Sequence, residues 1–167
     1  MHEFLQNYIT GLVSSLPPEL STFLLSMTPI GELRLGIPWA VAVYNFSIEK
    51  AFLISFLGNN TINFILYFLG LPVANWFEKK NNWIGRIVNW VRHHSLKKGE
   101  KYIEKWGTWG IFIIALIPLP GFGGWSGSLI AAFLGIEKKH AVPALVGGTI
   151  VAAIIVSASF MGITSIL

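Results

Sequence analysis

The sequence predicts an all-α integral membrane protein of two inverted repeats, each a re-entrant helical hairpin followed by a transmembrane helix, joined by an amphipathic cytoplasmic surface helix. Three observations point there. Of 167 residues, 53% are hydrophobic and only 12% charged, whereas a soluble domain carries about a quarter charged residues. The stretches from Ala51 to Phe77, from Trp106 to Ile136 and from Ala141 to Leu167 contain no charged residue at all. Eight of the twelve Lys and Arg residues lie between Lys79 and Lys105, which makes the net charge of +4 a membrane-topology signal and not a nucleic-acid one. The chain has no Cys and no Asp, so disulfide frameworks, thiolate metal sites and aspartate chemistry are excluded. A single membrane domain over 1–167 is expected.

The N-terminus opens as Met1-His2-Glu3, without the basic start of a secretory signal, and is expected to be retained as an outer-side helix. The first hairpin is expected at about 20–47, where LSTFLLSM runs into breaks at Pro29, Gly31, Gly36 and Pro38 before WAVAVYNF returns. A transmembrane helix follows at about 50–77, long enough to cross a hydrocarbon core of about 30 Å. Residues 78–106 are basic and amphipathic. Ile84, Ile87, Val88 and Val91 share one helical face, Arg86, Asn89, Arg92 and His93 the other, with Trp83, Trp90 and Trp106 as interfacial anchors.

The second hairpin, about 107–136, breaks at Pro118, Pro120, Gly121, Gly123 and Gly124; its apolar arms of about 10 to 12 residues are too short to cross. The last transmembrane helix is expected at about 141–164. One kinked spanning helix per broken segment is the alternative. With the hairpins re-entrant, ten basic residues face the cytoplasm and Lys50 alone faces out, in line with the positive-inside rule for a protein of the inner (plasma) membrane. Interrupted backbone at membrane depth requires a packed or partly wet centre.

A shift of 88 residues aligns Ile48-Glu49-Lys50 with Ile136-Glu137-Lys138, and Leu57, Thr61 and Ile62 with Leu145, Thr149 and Ile150: six matches in fifteen positions. Each match begins just after a hairpin and runs into a spanning helix. One crossing separates the copies, hence the inverted topology found in many secondary transporters.

Glu32 and Arg34 are the only charges inside a membrane segment other than at its ends, and each costs at least about 2.5 to 3.5 kcal/mol at bilayer depth. Burial would raise the carboxyl pKa and a guanidinium would lower it, so Glu32 is a candidate coupling-proton site. Arg34 suits a phosphate or carboxylate headgroup. A buried ion pair that only fixes the hairpin is the structural alternative. Their two-residue spacing is read as lying on a non-helical tip.

Asn59, Asn60, Thr61 and Asn63 need partners in the first spanning helix and are expected to face inward, either for substrate or for interhelical bonds. Gly147 and Gly148, in the second, would allow close helix packing. The second hairpin's returning arm opens with Trp125, Ser126 and Gly127, where free N–H groups favour an anion and Ser126 is a cap or ligand. Trp39 and Trp125 follow the two breaks and could line a cavity. His93-His94 lacks further metal ligands and reads as solvated surface.

The segments GELRLGIPWAV (Gly31 to Val41), FLGNN (Phe56 to Asn60) and IPLPGFGGWSGSLIA (Ile117 to Ala131) resemble the small multi-drug export protein family over about Thr28 to Gly162. That family is similar, distantly, to the DedA-type membrane proteins, some of which are implicated in moving polyprenyl-phosphate lipids. The resemblance implies a small secondary transporter for an amphipathic molecule, and a titrating Glu32 adds the expectation of proton coupling; a polyprenyl-phosphate flippase and a non-transporting membrane scaffold are the rivals. Expected partners are membrane lipid, a small-molecule or lipid-phosphate substrate, protons and a second copy in a homodimer, with no nucleic acid, metal or cofactor and no enzymatic activity.

Overall fold

A computed structural model describes residues 16–78, 83–119 and 122–165. The expected N-terminal outer helix, and Pro120 and Gly121 of the second break, lie outside the described residues. The described chain forms seven helices: α1 (Pro18–Met27), α2 (Glu32–Tyr44), α3 (Ile48–Glu78), α4 (Trp83–Trp106), α5 (Trp109–Leu116), α6 (Gly124–Phe133) and α7 (Lys138–Thr164).

α3 and α7, of 31 and 27 residues, are the two described helices long and apolar enough to cross a membrane. Most of their surface is not covered by protein: Leu53, Leu57, Phe68 and Leu69 on α3 and Ile154 and Met161 on α7 are exposed, an arrangement suited to lipid and costly in water. The other segments without long apolar helices form pairs. α1 packs on α2 and α5 on α6, and these helices of 8 to 13 residues reach only about 12 to 20 Å, short of the hydrocarbon thickness.

Thr28 makes the first turn. Its hydroxyl donates to the Leu25 carbonyl at 2.8 Å and accepts from the Gly31 N–H at 2.9 Å, after which the Glu32 N–H returns to the Thr28 carbonyl at 3.0 Å. α2 then starts at Glu32, so Gly36 and Pro38 lie inside a helix and not at the tip. A proline in the seventh helical position removes the donor to the Arg34 carbonyl and crowds that carbonyl, yet the helix, packed on both sides, continues through it. Asn45 ends α2 in the left-handed region (φ 53°), with the Phe46 N–H reaching back to the Ala40 carbonyl. In the second turn the Gly123 N–H bonds to the Ile114 carbonyl at 2.9 Å, and Gly123 adopts φ 96°, a conformation that favours glycine.

Each short pair sits on a long helix through glycine. A Cβ on Gly58 of α3 would strike the Phe23 carbonyl of α1, and a Cβ on Gly148 of α7 would strike the Phe112 carbonyl of α5. Gly36 of α2 rests on Ser26 and Ser55, and Gly127 of α6 rests on Ala115 and Leu145. Corresponding contacts therefore recur about ninety residues apart, two more than the 88-residue register of sequence identities. Two residues are more than half a helical turn, so the identities and the packing do not share a face. α2 also touches α7, α6 packs on α3, and α3 packs on α7. One apolar cluster centres on Leu33, Ile37, Ala51 and Ala153, the other on Ile111, Ile114, Ile130 and Leu145.

α4, the expected surface helix, is docked on α3, α5 and α6. Gly99 meets Ile130, and Tyr102 packs edge-on against Phe122 with ring centres 5.9 Å apart. Arg92, expected on the polar face, turns back and bonds both Glu78 oxygens at 2.9 and 3.0 Å and Asn75 at 3.2 Å, whereas Ile87, expected on the apolar face, is exposed.

Candidate functional site where the two turns meet

The turn before α2 and the turn before α6 face each other across a single carboxylate. Glu32 is 4% exposed. One of its oxygens accepts from the Trp125 N–H at 3.3 Å, and the other lies 3.4 Å from an Arg34 guanidinium nitrogen. Gly123 leaves room for it, since a Cβ there would press on the carboxylate. The Trp125 indole N–H donates to the Met27 carbonyl at 3.1 Å, closing the second turn onto the first. The anion expected at the start of α6 is thus Glu32 of the same chain.

Glu32 holds a left-handed backbone (φ 40°), a conformation costing of order 1–3 kcal/mol in a non-glycine residue. Glu32 and Arg34 lie in the first turn of α2, not on a non-helical tip, and the Glu32 side chain reaches the start of α6 from a residue of positive φ. Both carboxylate contacts are long for charge-assisted hydrogen bonds, which run about 2.7–2.9 Å. Arg34 has a side chain 17% exposed, and its Nε is buried without a hydrogen-bond partner.

The asparagines of α3 divide by role. Asn60 donates to the Thr149 hydroxyl at 3.1 Å and accepts from it at 3.2 Å, joining α3 to α7. Asn63 donates to Asn59 at 2.9 Å and lies where a Gly124 Cβ would sit, so this pair abuts the second turn. The Asn59 amide nitrogen and the Asn63 amide oxygen are buried without partners. Thr61, expected to face inward, instead faces outward and bonds its own helix at the Leu57 carbonyl, because two residues along a helix turn it to the side opposite Asn59 and Asn63.

A cavity of about 220 Å³ opens beside Glu32, lined by Pro29 from the first turn, by Trp125 and Ser126 at the start of α6 and by Trp90, His94 and Ser95 from α4. Sequence reading treated Trp90 as a membrane anchor and His94 as solvated surface. Their stacking, with ring centres 5.2 Å apart, at a spacing of four residues was the available sign that they share a face. Trp39 is not in this cavity; it lies within α2 with a buried, unpartnered indole N–H. Gly31 precedes Glu32 and is closed in by the Leu25 carbonyl, while Pro118 follows α5 on the far side of the second turn.

This arrangement can exchange a carboxylate between internal donors and an outside cation or proton, in a pocket with one aromatic wall. No curated protein and no solved structure matches the chain. Residues 32–155, from Glu32 itself to about two-thirds of the way along α7, match the family described as "Putative small multi-drug export protein". With two helices apolar enough to cross a bilayer, this is a membrane protein, and it belongs to the small multi-drug export protein family.

Proposed function

We propose that the chain is a secondary exporter of an amphipathic small molecule, coupled to protons, in which both short helix pairs re-enter the membrane from opposite sides and Glu32 is the exchanging group. The carrying observation is the buried Glu32 carboxylate shared between Arg34 and the start of α6 through long contacts. A proton or a cationic substrate neutralises it and weakens one of the two links between the turns, leaving the Trp125 indole bond to the Met27 carbonyl. The repeated glycine contacts support reading the halves as inverted copies. The family supports transport over catalysis. In this reading 78–106 is cytoplasmic in an inner-membrane protein, which works as a homodimer because one short chain encloses little of a pathway.

The test is purified protein in liposomes with an imposed pH gradient, assayed with a fluorescent lipophilic cation. Wild type drives pH-dependent flux and Glu32→Gln abolishes it, while Arg34→Ala retains part of it. A DedA-like flippase is the second reading, favoured by the unpartnered buried Nε of Arg34: it requires movement of a labelled polyprenyl phosphate that Arg34→Ala abolishes. Folded protein that moves neither probe would overturn both and leave a scaffold.

A further inference from the structure

Two apolar grooves flank α7 near its opposite ends, and their charged residues have opposite sign. A cavity of about 310 Å³ between α5 and the start of α7 is lined by Thr108, Trp109, Phe112, Lys139, His140 and Gly147, among others. A groove of about 460 Å³ between α3 and the end of α7 has Glu49 as its charged lining residue. Both open on the apolar outer surface of the spanning helices, where lipid would lie.

The first cavity has the build of a lipid site. Its inner wall is Phe112, Ala144 and Gly147, and a Cβ on Gly147 would already stand 3.2 Å from the Phe112 ring, so glycine sets the depth. Its mouth is basic: Lys138 and Lys139 adjoin a single Glu137. The Lys139–Glu137 pair, 2.6 Å apart, has both side chains about two-thirds exposed, and an exposed pair is weak enough to give way to another anion. Trp109 is exposed beside it, as an interfacial tryptophan would be.

We propose that this cavity holds one anionic phospholipid, with its phosphate at Lys139, His140 and Thr108 and an acyl chain along Phe112, Ala144 and Gly147. Charge complementarity selects this occupant over a zwitterionic lipid, and the Glu49 groove, equally apolar, repels it. The site is separate from Glu32 and stands whatever the protein transports.

The experiment is native mass spectrometry of the full chain in mild detergent, titrated with dioleoylphosphatidylglycerol or dioleoylphosphatidylcholine. Phosphatidylglycerol binds at least about fivefold more tightly. The double variant Lys139→Gln/His140→Gln removes that preference, Gly147→Leu weakens both lipids, and Glu49→Gln changes nothing. An absent preference, or one that survives the double variant in protein still helical by circular dichroism, overturns the proposal. So does displacement of the lipid by millimolar inorganic phosphate, which would make this a free-anion site. Lys139 and His140 are exposed, so their variants decide the matter even if Gly147→Leu does not fold.

Discussion

In the first half, Gly36 rests on Ser26 and Ser55, and Gly58 on the Phe23 carbonyl; in the second, Gly127 rests on Ala115 and Leu145, and Gly148 on the Phe112 carbonyl. The contacts correspond, but the chemistry does not: hydroxyls and buried amides stand where the second half has methyl groups. The turns correspond as well. Each has a left-handed residue four positions before its α2 or α6 glycine, and this residue is Glu32 in the first half and Gly123 in the second. Helix packing thus fixes the frame twice, while the buried carboxylate occurs once, at the left-handed position of the first turn. Strain retained at such a place is the kind of outlier on which the proposed role of Glu32 rests.

The strongest way to break this comparison is to overfill both frames. Gly58→Leu and Gly148→Leu each drive a side chain into a backbone carbonyl, and each should cost about 3 kcal/mol or more, read as loss of monodisperse protein in detergent. Tolerance of one but not the other would show that the halves are not built alike. Next come the left-handed positions. Gly123→Ala should destabilise by about 2 kcal/mol, from its φ and from displacing Glu32. Glu32→Gly and Glu32→Ala both remove the carboxylate from Arg34, but only the glycine also relieves the strained φ, so Glu32→Gly should cost about 1 kcal/mol less than Glu32→Ala. Reversible unfolding in detergent measures all three, and equal losses for the two Glu32 variants would contradict the role of strain.

A smaller effect separates the asparagines. Asn60→Leu should cost about 0.6 to 1.7 kcal/mol, the range for an interhelical bond in a membrane protein, with transport of the fluorescent cation retained. Asn63→Leu should suppress that transport at similar stability. Smallest is the exchange of polarity between the frames. Ser26→Ala and Ala115→Ser should each shift stability by less than about 0.5 kcal/mol, because the Ser26 hydroxyl bonds within its own helix, to the Thr22 carbonyl at 2.8 Å. A large loss at Ser26 would show that the polar frame is itself structural.

Much of the frame was legible in sequence because it rests on local composition. Charge-free stretches marked α3 and α7, and amides within an apolar helix had to turn inward. The second break was legible since two prolines and three glycines in seven residues cannot propagate a helix. The first was misplaced by Gly36 and Pro38, which look like breakers but sit in a helix held by neighbours from α1 and α3. The site was half legible. Glu32 stood out as an isolated charge, and an anion was expected at the start of α6, yet nothing local said that the two were the same group. Trp90 and His94 were missed since their neighbours at the cavity come from segments about 30 and 60 residues away, and the 88-residue register misled because matching letters in apolar helices do not report which face is packed.

The central claim, that the turn before α6 closes onto the polar face of α3 beside Glu32, can be tested by cross-linking, for which a chain without cysteine is a clean background. Asn63→Cys with Gly124→Cys should form a disulfide under mild oxidation, since a Gly124 Cβ would lie 2.7 Å from the Asn63 side-chain carbon, within the reach of a disulfide. Asn63→Cys with Gly135→Cys, at the other end of α6, should not. Efficient cross-linking of the control and none of the first pair would contradict the account.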